Sequence, residues 1–414
     1  MEKKIRNLWK HVIPQQQFES TETKATYKSL SLAENVTILD DEEAATIIER
    51  AEQKDDSDAA TVLNGTIIEN NTTQVPVNLH KSHHVILDEI ARGGMGAVYH
   101  GNQMCLNRDV AIKKMLATNE ETSSRFISEA LVTAFLDHPN IVPIYELSKN
   151  ESEEIILAMK LVGGNTWSDL LESKDFDDHL QILLSVCNAV AYAHSKGIIH
   201  CDLKPANIMI GEFGEVLVMD WGIAVDISPG EVKRGIPQKD VHRPMGTPCY
   251  MPAELAEGRG EDIGPWTDVY LLGGILYKLL TKKPPHQGQT ILEVLRSACT
   301  GCELDFATDT PLEIQEICRK ALALSPQERY QTTAEFNNDL RSFIKHRESI
   351  LIANQAHTKF TLCVSNSEAK NIYEEVTTCI SGFQQALELW ADNLQAKTWR
   401  HDARIFYAQT ALRN

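Results

Sequence analysis

The chain has 414 residues, 43% of them apolar, enough for more than one domain and an ordinary globular core. Its formal net charge of −18 excludes nucleic acid as the main partner, because phosphate binding wants a basic surface. The nine Cys are scattered, and the one close pair, Cys299 and Cys302 in "ACTGC", lacks the second pair or the His that a metal site wants, so they read as reduced, structural thiols.

The N-terminus, "MEKKIRNLWKHVIPQQQ", is basic but has no apolar core of signal-peptide length. No stretch approaches the roughly 20 apolar residues of a membrane span. A cytoplasmic protein without a membrane anchor is the expectation. Residues 1–82 form an acidic, Thr-rich arm, a composition expected to be largely disordered. The arm repeats a short pattern: "TILD" at Thr37, "TIIE" at Thr46, "TVLN" at Thr61 and "TIIE" at Thr66.

From Val85 the texture changes. "HVILDEIARGGMGAVYHG" reads as strand, Gly-rich turn, strand, and "RDVAIKKML" as another strand. "TSSRFISEALVTAFLDH" has helical spacing, with Phe126, Ala130, Val132 or Thr133, and Leu136 on one face, and it stops before Pro139. "NIVPIYEL" and "EEIILAMKLV" are two more strands. After Gly164 the chain turns helical, with candidates in "SDLLESK", "HLQILLSVCNAVAYAHSKG", "DVYLLGGILYKLLTKK", "PLEIQEICRKALAL" and "TTAEFNNDLRSFIKH". The third contains two Gly that lower helix propensity but allow close packing. The tail from about Ile350 is helical again. A strand-rich lobe followed by a helical lobe is an α+β pattern.

Several residues in this order carry chemistry. Gly93, Gly94 and Gly96 lie between two strands, where Gly lets backbone N–H groups approach a phosphate. A plain tight turn is the alternative. Lys113, one strand on, can reach phosphates if an acidic residue holds it, and Glu129 in the next helix can do so. Taken singly, each is equally an exposed ion-pair partner. "IIHCDLKPANIMI" then sets Asp202, Lys204 and Asn207 within six positions. Asp202 can accept a proton, Lys204 can neutralise a phosphoryl group, and Asn207 offers a neutral oxygen to a metal ion. Asp220, at the end of an apolar strand, is a carboxylate suited to Mg²⁺.

This ordered set resembles the protein-kinase signature: Gly-rich loop, VAIK, helical Glu, H-x-D-x-K-x-x-N and D-x-G. "GGMGAVYHG", "HPNIVPIYEL" and "GTPCYM" make it similar to the bacterial eukaryotic-like (Hanks-type) serine/threonine kinases. The resemblance runs from about Val85 to His346 and implies a bilobal fold, with a small β-rich lobe and a larger helical one. It implies ATP and Mg²⁺, with Mn²⁺ a possible substitute, and transfer of the γ-phosphate to a protein hydroxyl. By position, Gly93, Gly94 and Gly96 cover the phosphates. Val98 and Ala111 roof the adenine and Met209 floors it. Met159 is the gatekeeper, Lys160 to Val162 the hinge, and Lys113 pairs with Glu129. Asp202 and Lys204 serve the transfer, and Asn207 and Asp220 hold the metal. Glu254 and Arg329 are an expected buried ion pair, and Asp268 an expected cap behind the catalytic loop.

The sequence also departs from the pattern. Ala91 stands where the first Gly is usual, Trp221 replaces the Phe of D-F-G, and Cys201 replaces an Arg that in the family pairs with a phosphate on the activation segment. Between Asp220 and Glu254 the only Ser and Thr are Ser228 and Thr247, while Lys233, Arg234, Lys239 and Arg243 fill the middle. Phosphate acceptor and phosphate receptor are missing together, so activity without activation-segment phosphorylation is expected.

The expected domains are the arm at 1–82, a kinase domain at 83–346 and a helical tail at 347–414. In the arm, Thr37, Thr46 and Thr66 each have an acidic residue three positions on. That spacing resembles phosphothreonine targets of forkhead-associated domains, and chance repeats in an acidic linker are the alternative. In the tail, "FQQALELWADNLQAK" resembles part of a tetratricopeptide repeat, either a partner site or a helix pair that only packs. The rival to an active enzyme is a pseudokinase scaffold acting through protein partners.

Overall fold

The computed structural model describes residues 37–38, 61–62, 79–81, 83–92, 96–115, 120–150, 152–308, 310–365 and 371–413. Thr46 and Thr66 of the arm repeat, and Gly93 and Gly94, lie outside the described residues. Within the arm, β1 (Thr37–Ile38) and β2 (Thr61–Val62) pair in parallel. The chain divides into two compact units, 1–337 and 338–414.

In the first unit the small lobe is built on a five-stranded antiparallel sheet ordered β3-β4-β5-β7-β6. Its strands are β3 (His84–Arg92), β4 (Gly96–Gln103), β5 (Arg108–Met115), β6 (Ile144–Lys149) and β7 (Ile155–Lys160). The central strands β5 and β7 are buried on both faces, with Val110, Ala111 and Ile112 and then Ile156 to Met159 all buried. Val110, Ile112 and Ile156 form one cluster. Helix α1 (Glu120–Phe135) crosses between β5 and β6, and its Phe126 and Ala130 pack with Leu157. The stripe read from the sequence is therefore the core-facing one, with Phe126, Ala130, Val132, Thr133 and Leu136 all buried.

Past residues 161–163 the chain enters the helical lobe, which opens with the short strand β8 (Gly164–Thr166). "SDLLESK" is not a helix. The Asp169 carboxylate accepts bonds from the Thr166 backbone N–H at 3.1 Å and hydroxyl at 2.6 Å, and successive turns follow. Such local side-chain bonds compete with helix formation. Helix α2 (Phe176–Ser195) then starts on Asp175, whose side chain accepts from the Asp178 N–H at 2.8 Å. Four short strands follow: β9 (Ile198–Ile199), β10 (Ile208–Gly211), β11 (Val216–Val218) and β12 (Val225–Asp226). With β13 (Ile236–Pro237) they form two small sheets, β11-β10-β8 and β13-β12-β9. Of these only the apolar run before Asp220, β11, was read as a strand in the sequence, since two to four residues carry no periodicity.

Helices α3 (Ala253–Glu257), α4 (Pro265–Thr281), α5 (Ile291–Thr300) and α6 (Leu312–Ala321) complete the lobe. Helix α4 is buried nearly all round. A Cβ on Gly273 would lie 2.6 Å from the Ala321 Cβ, so this Gly permits the close approach of α4 and α6. Helix α7 runs over Thr333–Ser365, far beyond the stretch that its sequence pattern marked.

In the second unit, α8 (Ile372–Leu389) and α9 (Leu394–Arg413) form a hairpin. Phe360, Val376, Cys379, Phe383 and Ala403 share its core. The apolar spacing through "LELWADNLQAK" is interrupted because Asn393 caps a new helix, its Oδ1 accepting from the Ala396 N–H at 3.0 Å.

One core residue of the large lobe has a pH signature. His286 is fully buried, bonded through Nε2 to the Tyr270 hydroxyl and through Nδ1 to the Ser297 hydroxyl, both at 2.9 Å. Burial lowers its pKa to about 3. An unfolded imidazole takes a proton below about 6.5, whereas the folded one does not until about 3. This contribution to stability is full above the unfolded value and is lost as the pH falls toward 3. Between pH 7 and pH 5 the protein should lose about 2 kcal/mol more than His286→Gln in urea denaturation. Equal losses would show that the imidazole is not kept neutral.

Candidate active site

Lys113 on β5 and Glu129 on α1 meet as a buried pair, the Lys113 Nζ lying 2.7 and 2.8 Å from the two carboxylate oxygens. Burial works against the ammonium, but the charges of Glu129 and Asp220 outweigh it and hold the Lys113 pKa above its usual value. Burial pushes the Glu129 carboxyl up, against the pull of Lys113 and with the added repulsion of Asp220. Asp220 makes no ion pair with Lys113 and acts on the Lys113–Glu129 pair through its charge alone.

Asp202 sits in a tight polar cage. The Thr247 hydroxyl donates to its Oδ1 at 2.6 Å and accepts from the Lys204 Nζ at 2.9 Å. Lys204 Nζ is 3.4 Å from Asp202 Oδ2. Asn207 Nδ2 donates to Asp202 Oδ2 at 3.0 Å and to its backbone carbonyl at 2.8 Å. All four side chains are buried, and Lys204 is only 1% exposed. A buried Lys survives as a charge only with such partners.

The loop that presents Asp202 is held in an unusual backbone state. Cys201 has φ 67° and Asp220 has φ 59°, both in the left-handed region that non-glycine residues rarely adopt, though Asp enters it more readily than Cys. Asp268 at the start of α4 supports the first. It accepts the Cys201 N–H on Oδ1 at 2.9 Å, the His200 N–H on Oδ2 at 2.8 Å, and lies 2.8 Å from His194 Nε2. The expected cap is therefore present in the fold. His200 in turn accepts the Asp202 N–H on Nδ1 and bonds the Met219 carbonyl through Nε2 at 3.0 Å, which fixes its proton on Nε2. The same loop reaches the Asp220 strand a second time through Met219 N–H and the Asn207 carbonyl at 2.9 Å.

Trp221 is 1% exposed, and its ring centroid lies 4.5 Å from that of His200. Its buried Nε1 has no hydrogen-bond partner among the described residues. Cys201 has no exposure and belongs to an apolar cluster with Ile199, Ile223, Val225, Val241 and Met245. Burial, with the nearby charge of Asp268, raises its thiol well above the usual range, so it acts as a packing residue.

Val98, Ala111 and Met159 fall in one apolar cluster, joined by Val142, Ile144, Leu161 and Met219. Met209 is half-buried on β10 and stands outside that cluster. Lys160 ends β7 and reaches Glu215 at 3.3 Å, and Val162 is half-buried just beyond. Gly96 opens β4, where a Cβ would sit 2.6 Å from the Lys114 carbonyl oxygen, so close strand packing alone already requires Gly there. Sequence reasoning passed over Val142 and Met219. Their only signal was an apolar residue beside a motif.

The donors for a metal are oxygens. Asn207 spends its Nδ2 on Asp202 and leaves Oδ1 as an acceptor, and Asp220 adds a carboxylate. Among the described residues no cluster of three or more His, Cys, Asp or Glu could hold a metal ion. One carboxylate and one amide oxygen fit a hard ion that keeps waters and takes its remaining ligands from phosphates.

The protein kinase domain family matches residues 84–340. The chain belongs to the protein kinase family. The small β-rich lobe and the helical lobe are those of a kinase domain, and protein kinases work with ATP and a divalent metal ion. Curated relatives include the serine/threonine-protein kinase PknD of Protochlamydia amoebophila, 34% identical over 320 residues, covering 69% of this chain and 32% of the relative. PknD of Chlamydia caviae is 33% identical over 295 residues, 63% of this chain and 31% of its own. PknD of Chlamydia pneumoniae is 33% identical over 290 residues, 62% and 30%. The chain thus spans about a third of the length of these relatives. No helix among the described residues is long and apolar enough to cross a membrane.

Proposed function

We propose that the chain is a serine/threonine protein kinase that transfers the γ-phosphate of ATP to Ser and Thr hydroxyls of proteins. The observation that carries this reading is the Asp202 cage, a carboxylate fixed on both oxygens by Thr247, Asn207 and Lys204. Asp202 orients the attacking hydroxyl and accepts its proton, and Lys204 neutralises the charge beside it. Lys113, held by Glu129, binds the α- and β-phosphates, with Gly93, Gly94 and Gly96 above them. Val98, Ala111, Met159 and Met209 enclose the adenine, and Lys160 to Val162 form the hinge. Asn207 and Asp220 would hold Mg²⁺, or Mn²⁺ in its place. Bound there, such an ion neutralises phosphate charge during transfer. The serine/threonine-protein kinase names of the relatives support Ser/Thr specificity, as does Lys204 two residues after Asp202 with Thr247 bonded to both.

The proposed domains are the arm at 1–82, the kinase domain at 83–346 and the helical tail at 347–414. The enzyme works in bacterial signalling in the cytoplasm. The scattered spacing of its nine Cys, with no disulfide framework, supports that compartment. It autophosphorylates its arm on Thr37, Thr46 and Thr66, whose acidic residue three positions on suits a forkhead-associated partner. The tail is tetratricopeptide-like, with Ala386, Asn393 and Ala396 buried, and takes a protein partner. Activity needs no phosphate on the activation segment. The Ser228 hydroxyl already rests on the Asp226 carboxylate, so a phosphate there would meet like charge.

The test is ATP turnover by the wild type and by Asp220→Ala. A loss of at least about a hundredfold is expected. Equal signals would remove the enzyme reading. No observation favours a scaffold, since Lys113, Glu129, Asp202, Asn207 and Asp220 are all present.

A further inference from the structure

Phosphorylated activation segments are ordered by a phosphate set against basic side chains. Here a carboxylate of the segment itself occupies the centre of a comparable network. Asp226, on β12, is only 1% exposed. Its Oδ1 accepts the Ser228 N–H at 2.9 Å and the Ser228 hydroxyl. Its Oδ2 accepts the Arg234 N–H at 2.9 Å. Lys233 Nζ lies 3.6 Å from Oδ1 and donates to the Ser228 carbonyl. The loop from Ile227 to Lys233 is thereby folded back onto β12. Bonds to an ionised acceptor are the strong kind, and a buried site strengthens them.

The residue that Asp226 fixes, Arg234, is also the one that grips α1. Its carbonyl accepts the Ser128 hydroxyl at 2.6 Å, and its guanidinium lies 3.9 Å from the centroid of the Phe135 ring. The following Gly235 runs so close to β12 that a Cβ would fall 2.5 Å from the Ala224 carbonyl oxygen and 3.4 Å from Val132 Cγ2 of α1. Ser128 is the neighbour of Glu129, which holds Lys113. A continuous path of short contacts therefore joins the Asp226 carboxylate to the lysine of the site.

We propose that Asp226 is a built-in replacement for the activation-segment phosphate: a positioning residue that, through Arg234 and Ser128, sets α1 so that Glu129 orders Lys113. This rests on the reading of the chain as a kinase active without segment phosphorylation, and it names the residues responsible. Cys201 fits the same scheme, because a segment ordered by its own carboxylate needs no arginine beside the catalytic Asp and can pack there apolar instead.

The full chain is compared as wild type, Asp226→Asn, Ser128→Ala and the double variant. Each is treated with phosphatase and assayed on a basic protein. Rates are expressed per site that binds a non-hydrolysable ATP analogue, so that loss of folded protein does not count as loss of rate. Wild-type activity is expected to survive phosphatase. Asp226→Asn should lower kcat about tenfold, the worth of a hydrogen bond to a charged group, and Ser128→Ala should lower it several-fold. Because both variants cut one path, the double variant should be little worse than Asp226→Asn alone. KM for ATP should rise by less than kcat falls, a split that general loosening would not give. Wild-type kcat per site in both single variants, or losses that multiply in the double variant, would overturn the role of Asp226 and leave the kinase reading standing. Loss of wild-type activity on phosphatase treatment would overturn phosphorylation independence itself, and the proposal with it.

Discussion

Asp202→Asn should lower kcat about a thousandfold, the usual worth of a positioned general base. The substitution keeps the size of the side chain and an Oδ1 that still accepts from Thr247. It removes the negative charge and sets an NH₂ group toward Asn207 Nδ2 and Lys204 Nζ, which now donate to Oδ2 or lie close to it. Three donors then crowd one another, so Asn207 must turn its amide over. That change reaches the proposed metal ligand as well. Binding of an ATP analogue should change little, because the apolar cluster proposed to enclose the adenine and the Lys113 pair lie on other elements. Steady-state phosphorylation of a basic protein measures the first quantity, and calorimetric titration with the analogue measures the second. A pseudokinase scaffold would show no turnover in the wild type and no difference between the two proteins.

The residues of this cage were legible because they sit close together in the chain. Asp202, Lys204 and Asn207 fall within six positions, and a short 3-10 turn, Pro205–Asn207, is enough to bring the amide back to the carboxylate. The five strands and α1 of the small lobe were legible for a related reason, since each is long enough to express a period of two or of 3.6 residues. The Lys113 pair is different. Its partners are 16 residues apart and were linked by order in the chain, while their distance became visible only in the fold. Asp226 had no signal at all. A lone Asp after a Val in a loop-like stretch reads as a solvated residue, and only the return of Ser228, Lys233 and Arg234 onto it shows that it is buried. Helix "SDLLESK" failed for the opposite reason, because the side chain of Asp169 offers Thr166 a local partner that a propensity count ignores. Met209 was matched to the adenine floor by position alone, and Val142 and Met219, which join the cluster of Val98, Ala111 and Met159, had no motif to mark them.

The largest effect on folding should come from Arg329. Neither its side chain nor that of Glu254 has any exposure, and they pair at 2.7 and 3.1 Å through two guanidinium nitrogens. The same guanidinium donates to the carbonyls of Ala323, Leu324 and Trp266, and its centre lies 4.6 Å from the centroid of the Tyr270 ring. Glu254 also accepts the Thr267 hydroxyl at 3.0 Å. One side chain thus joins the loop after α6, the end of the activation segment and the first turn of α4. Arg329→Met leaves a carboxylate buried without its counter-charge and strips the guanidinium donors from the Ala323 and Leu324 carbonyls, and should destabilise the fold by about 3–5 kcal/mol. Glu254→Gln with Arg329→Met removes the stranded charge and should lose clearly less than the sum of the two single variants. Arg329→Lys should recover only part of the loss, because an ammonium on a flexible stem cannot match the five donors of the planar fork. Urea denaturation followed by tryptophan fluorescence reads the wild type and all four variants, with Trp266 adjacent to the pair as a local reporter. Additive losses in the double variant would mean that the two residues act separately, and that the join between the activation segment and α4 rests on apolar packing alone.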